Sequence, residues 1–218
     1  MKAAIAVVLA AFIAGCGGSG LSLSVRAGSA STAAVARSAL TAGNGIVLTR
    51  VRVVISAVEL QRADTAEMDE MASGPYLLDL QGASLDSGSV SKLLDASVAA
   101  GTYSEIQFQV HKPDNTEHGA NADLADMIAA NASIIADGTI DGVPFSFTSA
   151  VTAEQKFEGT LVLAEGSNLT LNVDAASWFT SGGSRLDPRS ESNRSQIENN
   201  IQQSFQAFRD DNHDGHVD

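Results

Sequence analysis

Along most of this chain, apolar and polar residues alternate in short runs broken by glycine, asparagine and aspartate. A period of two predicts half-buried β-strands rather than helices. Leu21-Ser22-Leu23-Ser24-Val25 predicts a first strand inside a stretch otherwise rich in Gly, Ala, Ser and Thr. The rest of that stretch, through Gly43-Asn44-Gly45, reads as tether and loop. β-branched residues are densest from Ile46 to Gln61. There Val47, Val51, Val53 and Ile55 share one parity, while Val54, Val58 and Leu60 share the other. Such a change predicts a bulge, or a bend passing between two sheets.

An acidic loop is expected from Asp64 to Ser73, then a short strand from Tyr76 to Leu80. Ala100-Gly101-Thr102-Tyr103 reads as a turn launching a strand, with Ile106, Phe108 and Val110 on one face and Glu105, Gln107 and Gln109 on the other. After a polar loop at residues 111 to 121, Asn121 is placed to cap a short helix carrying Leu124, Met127 and Ile128. Asp141-Gly142 between the alternating runs Ile134 to Ile140 and Val143 to Thr148 is a strong hairpin signal. Two more strands, near Gln155 to Leu163 and Leu169 to Val173, flank the turn at Glu165-Gly166-Ser167-Asn168. Phe108, Phe145 and Phe147 are the expected aromatic core.

Together these elements predict a mainly β fold, an antiparallel sandwich of the Ig-like or Greek-key type. It carries one short inserted helix and a C-terminal amphipathic helix. That last helix is read from a capping-box pair, Ser195 with Glu198, and from Ile197, Ile201, Phe205 and Phe208 at helical spacings. The expected organisation is a signal peptide over 1–15, a lipidated cysteine with first strand and tether over 16–45, a sandwich over 46–178, and a helix with an acidic tail over 179–218.

The N-terminus changes this picture most. One lysine, Lys2, precedes a short apolar run from Ala3 to Ile13, which suits a secretory signal and is too short to span a bilayer. Ile13-Ala14-Gly15-Cys16 then resembles the lipobox of bacterial lipoproteins. The resemblance implies cleavage after Gly15, a diacylglyceryl thioether on Cys16 and a lipid-anchored mature chain. Two or three acyl chains anchor a protein stably. Gly17, in place of aspartate, resembles the pattern of lipoproteins sent to the outer membrane of Gram-negative bacteria. The stretch Gly45 to Lys112 also resembles a family of bacterial lipoprotein domains of unknown function. The matching residues are Val51-Arg52-Val53-Val54-Ile55 with Val58-Glu59-Leu60, Leu78-Asp79-Leu80, and Ala100-Gly101-Thr102-Tyr103-Ser104-Glu105-Ile106. That resemblance implies a β-sandwich and supplies no activity.

The formal net charge is −13 over the 218 residues. Loss of Lys2 with the signal makes it about −14, which repels phosphate backbones and argues against nucleic-acid partners. Cys16 is the single cysteine. With that thiol taken by lipid no disulfide is possible, so stability must come from burial.

Two motifs match enzymes only in letters. Gly15-Cys16-Gly17-Gly18-Ser19-Gly20 spells the dinucleotide fingerprint but has no strand before it or helix after it, and cleavage would cut through it. Ser89-Val90-Ser91-Lys92 spells S-x-x-K without the S-D-N or K-T-G partners. It reads as a polar turn near Leu93. His111, His118, His213 and His216 form no zinc-protease pattern and read as surface histidines in polar loops.

The tail is more specific. Asp210-Asp211-Asn212-His213-Asp214-Gly215-His216-Val217-Asp218 places oxygen ligands at positions one, three, five and nine of a calcium loop, with glycine at six. The carbonyl of His216 falls at position seven. The tail resembles an EF-hand or dockerin-type loop without its position-twelve glutamate, entered from the C-terminal helix. Asp210, Asn212, Asp214, His216 and Asp218 are therefore the candidate calcium ligands. The leading expectation is a non-enzymatic, membrane-anchored module that binds or scaffolds a protein or glycan at the cell envelope. The alternatives are a calcium-dependent adhesion or interaction module and, further off, a hydrolase using an unrecognised carboxylate pair.

Overall fold

Two sheets divide the apolar faces of this chain between them. The computed structural model describes residues 19–28, 39–85 and 89–218. The signal segment and Cys16 lie outside the described residues. In chain order the first strands are β1 (Ser19–Ala27), β2 (Leu40–Gly43), β3 (Ile46–Ile55), β4 (Val58–Arg62), β5 (Met68–Ala72), β6 (Tyr76–Gln81), β7 (Val90–Val98) and β8 (Gly101–Val110). A short helix, α1 (Ala125–Ala129), precedes β9 (Ile134–Ile140), β10 (Val143–Ser149), β11 (Ala153–Leu163) and β12 (Asn168–Val173). The two-residue strands β13 (Thr180–Ser181) and β14 (Ser184–Arg185), the helix α2 (Glu191–Gln202) and β15 (Phe205–Arg209) follow.

The smaller sheet has the order β15-β12-β1-β7, with β1 parallel to β12 and antiparallel to β7. The larger follows β10-β9-β3-β8-β4-β5, with β2 and β6 also paired to β3 and β11 to β8. Leu21, Leu23, Leu169, Leu171 and Val173 of the small sheet share one core with Val51, Val53, Ile55, Ile106 and Phe108 of the large one. This is the expected mainly β sandwich, and Phe108, Phe145 and Phe147 are all buried in it.

The parity change in the β-branched run has a physical origin. Ile46 and Leu48 are buried, the register with β9 shifts between Leu48 and Arg50, and burial resumes at Val51, Val53 and Ile55. A second break at Ser56 and Ala57 returns Val58 and Leu60 to the core. Both breaks fall within the large sheet. Val54 is left on its outer face, where it packs with Leu77, Leu124, Met127 and Ile135 in a small second core. Arg52, on the same face, pairs with Asp137 at 2.9 Å, and Arg50 grips both oxygens of Asp79.

The Asp141-Gly142 hairpin forms as expected, with φ of 51° and 79° at its two turn residues. Asn44-Gly45 makes the same kind of turn, with φ of 51° and 82°, and joins β2 to β3. These are the doubly positive values of a type I′ turn. The two turns abut, since a Cβ on Gly45 would stand 2.2 Å from Asp141 Oδ1.

Several expectations are corrected. The C-terminal helix runs from Glu191 with Ser190 as N-cap, so Ser195 lies inside it and makes no capping box. Ile197 and Ile201 do face the core from it, but Phe205 and Phe208 lie on β15, which pairs with β12. The calcium-like tail is thus entered from a strand. Within residues 179–218, β15 is a strand of the small sheet. The supposed tether contains β2 and the buried end of β1. The acidic loop after Asp64 contains β5, and the S-x-x-K stretch belongs to β7 rather than to a turn. The strands β11 and β12, adjacent in sequence, lie in different sheets. Asn121 is not a helix cap: its side-chain amide bonds both the N–H and the carbonyl of Leu77 at 2.9 Å, closing the edge of β6.

Tyr103, from the Gly-Thr-Tyr turn, is fully buried at the start of β8. Its hydroxyl lies 2.7 Å from the carbonyl of Ala99 and 2.9 Å from the Asp69 carboxylate. Arg62 bonds the same carboxylate at 2.8 Å and stacks over the ring. The motif therefore ties β4, β5 and β8 to the β7–β8 turn. Burial first, then the bond to Asp69, pushes the phenol from 10.0 up to about 12. A raised tyrosine pKa means the folded state keeps a proton that the unfolded chain releases, so this contribution to stability fades as pH rises from 10 to 12. Tyr103→Phe should cost about 1–2 kcal/mol in urea melts near neutral pH. The gap to the parent should then narrow above pH 10. A gap that stays constant through pH 12 would contradict this account.

Candidate functional site

The candidate site is built on β12, all six of whose residues are buried. Leu169, Leu171 and Val173 point into the core, so by strand alternation Asn168, Thr170 and Asn172 share the outer face. Their register partners on β1 are Ser22, Ser24 and Arg26. This polar strip is covered by the tail that leaves β15.

Asp210 is the centre of the cover and is completely buried. Its Oδ2 accepts from Thr170 Oγ1 at 2.9 Å and from the Gly215 amide at 3.1 Å, while Oδ1 accepts from the Asp214 amide at 3.0 Å. Asn168 joins both ends of the chain. Its Oδ1 accepts from Ser22 and Ser24, its Nδ2 donates to the Asp210 carbonyl, and its backbone N–H donates to Asp211 Oδ1. Arg26, only 1% exposed, donates through Nη1 to the carbonyl of Gly215. Burial lowers the pKa of this guanidinium, and the charges of Asp210 and Asp214 act against that fall. Gly215 has φ of 81°, and a Cβ there would come 2.9 Å from Arg26 Nη1. Only glycine meets both conditions.

The tail turns on its own side chains. Asn212 Oδ1 accepts from the same Asp214 amide as Asp210 does, at 2.9 Å, and Asp214 Oδ1 accepts from the His216 amide at 2.8 Å. Asn212, Asp214 and His216 are exposed. Asp218 turns elsewhere, accepting from the Asp211 amide beside the Arg209–Asp211 ion pair. Arg209 in turn holds the Asp211 carboxyl below the usual carboxylate range. The fold therefore brings Asp210, Asn212 and Asp214 together and does not bring Asp218 onto them. Among the described residues no three His, Cys, Asp or Glu side chains form a metal-sized group.

Sequence reasoning missed Arg26, Asn168 and Thr170. Their only signal is a polar residue at every second position of two strands, which reads equally well as a face turned to water. The other histidines sit in loops: His111 Nε2 lies 2.9 Å from both Glu117 carboxylate oxygens, and His118 borders an open hollow of about 570 Å³ with Glu117 and Asp123. A cleft of about 230 Å³ runs between β11 and β15, with Phe157, Leu161 and Phe208 in its wall.

No family model matches the chain, and no curated protein matches it. Among solved structures, MbnP from Methylosinus trichosporium is similar over 74% of this chain and 76% of its own, at 11% identity and a TM-score of 0.41.

The network predicts a sharp contrast within one loop. Asp210→Ala strands two amides and the Thr170 hydroxyl and removes a negative charge near the buried Arg26, and should cost about 3–5 kcal/mol, the usual scale for breaking a buried charged cluster. Asp214→Ala removes an exposed carboxylate and should stay within about 0.5 kcal/mol of the parent. Equal losses in denaturant melts would mean that the tail is not organised around Asp210.

Proposed function

We propose that this chain is a non-enzymatic lipoprotein, anchored through lipid on Cys16, that binds or scaffolds a protein or glycan partner at the cell envelope. Its expected address is the outer membrane of a Gram-negative bacterium. One observation carries the reading: Ser19, only three positions after Cys16, already belongs to β1, an inner strand of the small sheet. In sequence just Gly17 and Gly18 separate the proposed anchor point from this strand. An anchor joined to a binding domain in this way holds it at the membrane without a leash. Replacement Cys16→Ala should leave an unprocessed precursor lacking the mass of acyl chains. A variant that still matures, and fractionates with membranes as the parent does, would end this reading.

A second reading, a calcium-dependent interaction module, is favoured by the winding of the tail around the Asp214 amide. The residues fit such an ion in part. Asp210 is fixed, but both its oxygens already accept hydrogen bonds and Arg26 supplies positive charge nearby. Asn212, Asp214 and His216 remain exposed to solvent. With Asp210 already engaged and Asp218 turned to the Asp211 amide, affinity should fall in the weak range of about 10⁻⁴–10⁻³ M. Calcium at low millimolar concentration should raise the melting temperature of the parent and not that of an Asn212→Ala, Asp214→Ala double variant. This pair leaves the structural Asp210 intact. Equal shifts in the two proteins, or none in either, would return the tail to a purely structural role.

A further inference from the structure

We infer that the end of the sandwich where β1 begins rests on the lipid surface, seated by Met68, Val162 and Val217. This inference stands on the lipoprotein reading of Cys16.

Chain length supplies the first constraint. At about 3.6 Å per extended residue, three steps hold Cys16 within roughly 11 Å of Ser19. Acyl chains on Cys16 would keep this end of the domain at the headgroups, whichever way the rest leans.

The second observation is what stands around that exit. Ser19 pairs with Val98, and the Gly20 carbonyl accepts from the Gly166 amide at 2.8 Å. The β7–β8 turn and the β11–β12 turn therefore flank the start of β1. The Ala63 amide donates to the Thr102 carbonyl, which brings the β4–β5 loop to the same end. Among the described residues four large apolar side chains are exposed: Met68 at 40%, Val143 at 52%, Val162 at 54% and Val217 at 73%. Three of the four lie here. Met68 borders Ser97, Val98 and Ala99; Val162 pairs with Thr102; Val217 shares the cleft wall with Val162. Ala99, Ala100 and Ala164 add small exposed apolar surface between them. Val143 sits beside the Asp141-Gly142 turn and pairs with Ile140, which pairs in turn with Ile46 at the start of β3, whereas this end lies beyond Arg62 at the close of β4.

Charge selects the kind of surface. Asp64, Glu67 and Glu165 are exposed at this end, and its two arginines are already paired, Arg62 with Asp69 and Arg209 with Asp211. Anionic headgroups would be repelled, so the surface that fits is zwitterionic.

Because the Cys16 thiol is taken by lipid, a cysteine introduced at Val162 or Val143 is the only free thiol of the mature chain. Both positions are exposed, so neither change threatens folding. The full lipidated protein, labelled at one position with an environment-sensitive dye, is placed in phosphatidylcholine vesicles carrying headgroup nitroxides. The Val162→Cys dye should lose most of its emission and the Val143→Cys dye should keep it. Exchanging part of the phosphatidylcholine for phosphatidylglycerol should weaken the loss. Equal quenching at the two positions overturns the inference. So does a Val162→Cys dye untouched by the nitroxides but shielded as protein concentration rises, which would mark a contact between copies. Intact mass separates the two levels: no acyl mass on Cys16 defeats the lipoprotein reading as well, whereas acyl mass with equal quenching defeats the seating alone.

Discussion

The two central strands of the small sheet, β12 and β1, have two faces to bury and apolar residues for only one of them. Leu169, Leu171 and Val173 on β12, with Leu21, Leu23 and Val25 on β1, fill the inner face. The outer face carries Ser22, Ser24, Arg26, Asn168, Thr170 and Asn172, of which the last five are buried. Taking a guanidinium out of water costs several kcal/mol unless charge and hydrogen bonds are returned to it. Asp210 and the Gly215 carbonyl return them, and both come from the far end of the sequence. That requirement draws β15 onto β12 and wraps the tail over the strip. It joins the beginning and the end of the described chain in a protein that has no second cysteine to do so covalently.

The strands legible in the sequence are those with one face in water. β8 shows it best, with Ile106, Phe108 and Val110 against Glu105, Gln107 and Gln109, and the β9–β10 hairpin is marked besides by its Asp-Gly turn. The strands that were missed break the alternation for physical reasons. Phe205 and Phe208 stand three apart, which imitates a helix, yet on β15 that spacing puts them on opposite faces. Phe205 meets Phe108 in the core at 6.0 Å, while Phe208 lines the cleft beside β11. A short strand buried on both sides looks helical by spacing alone. In β5 the two methionines of Met68-Asp69-Glu70-Met71 also stand three apart, and the acids between them suggested a loop.

The candidate site was legible in its own residues and not in its surroundings. The D-x-N-x-D-G spacing identified the loop, because its turns are made by neighbours and local geometry follows local sequence. What Asp210 does there depends on Thr170, Asn168 and Arg26, which lie between 40 and 184 positions away along the chain. No pattern within the tail reports them. A calcium loop and a structural plug therefore share one signature, and they differ only in what stands behind the first aspartate.

The position of β1 bears on how an anchored domain would carry load. A strand at a sheet edge that is pulled from one end can peel away one hydrogen bond at a time. β1 lies between β7 and β12, and its N-terminal residues are bonded to both sides, through the Ser19–Val98 pairing and the Ser22 amide on the Ser167 carbonyl. A pull from Cys16 along the strand must shear both ladders together. It must also disturb Arg26, Asn168 and Asp210, because the strip they fill is shared with β1. A lipid anchor on this chain would thus be tied to the best-connected part of the small sheet, and the burial that stabilises the tail would also resist loss of the anchor strand.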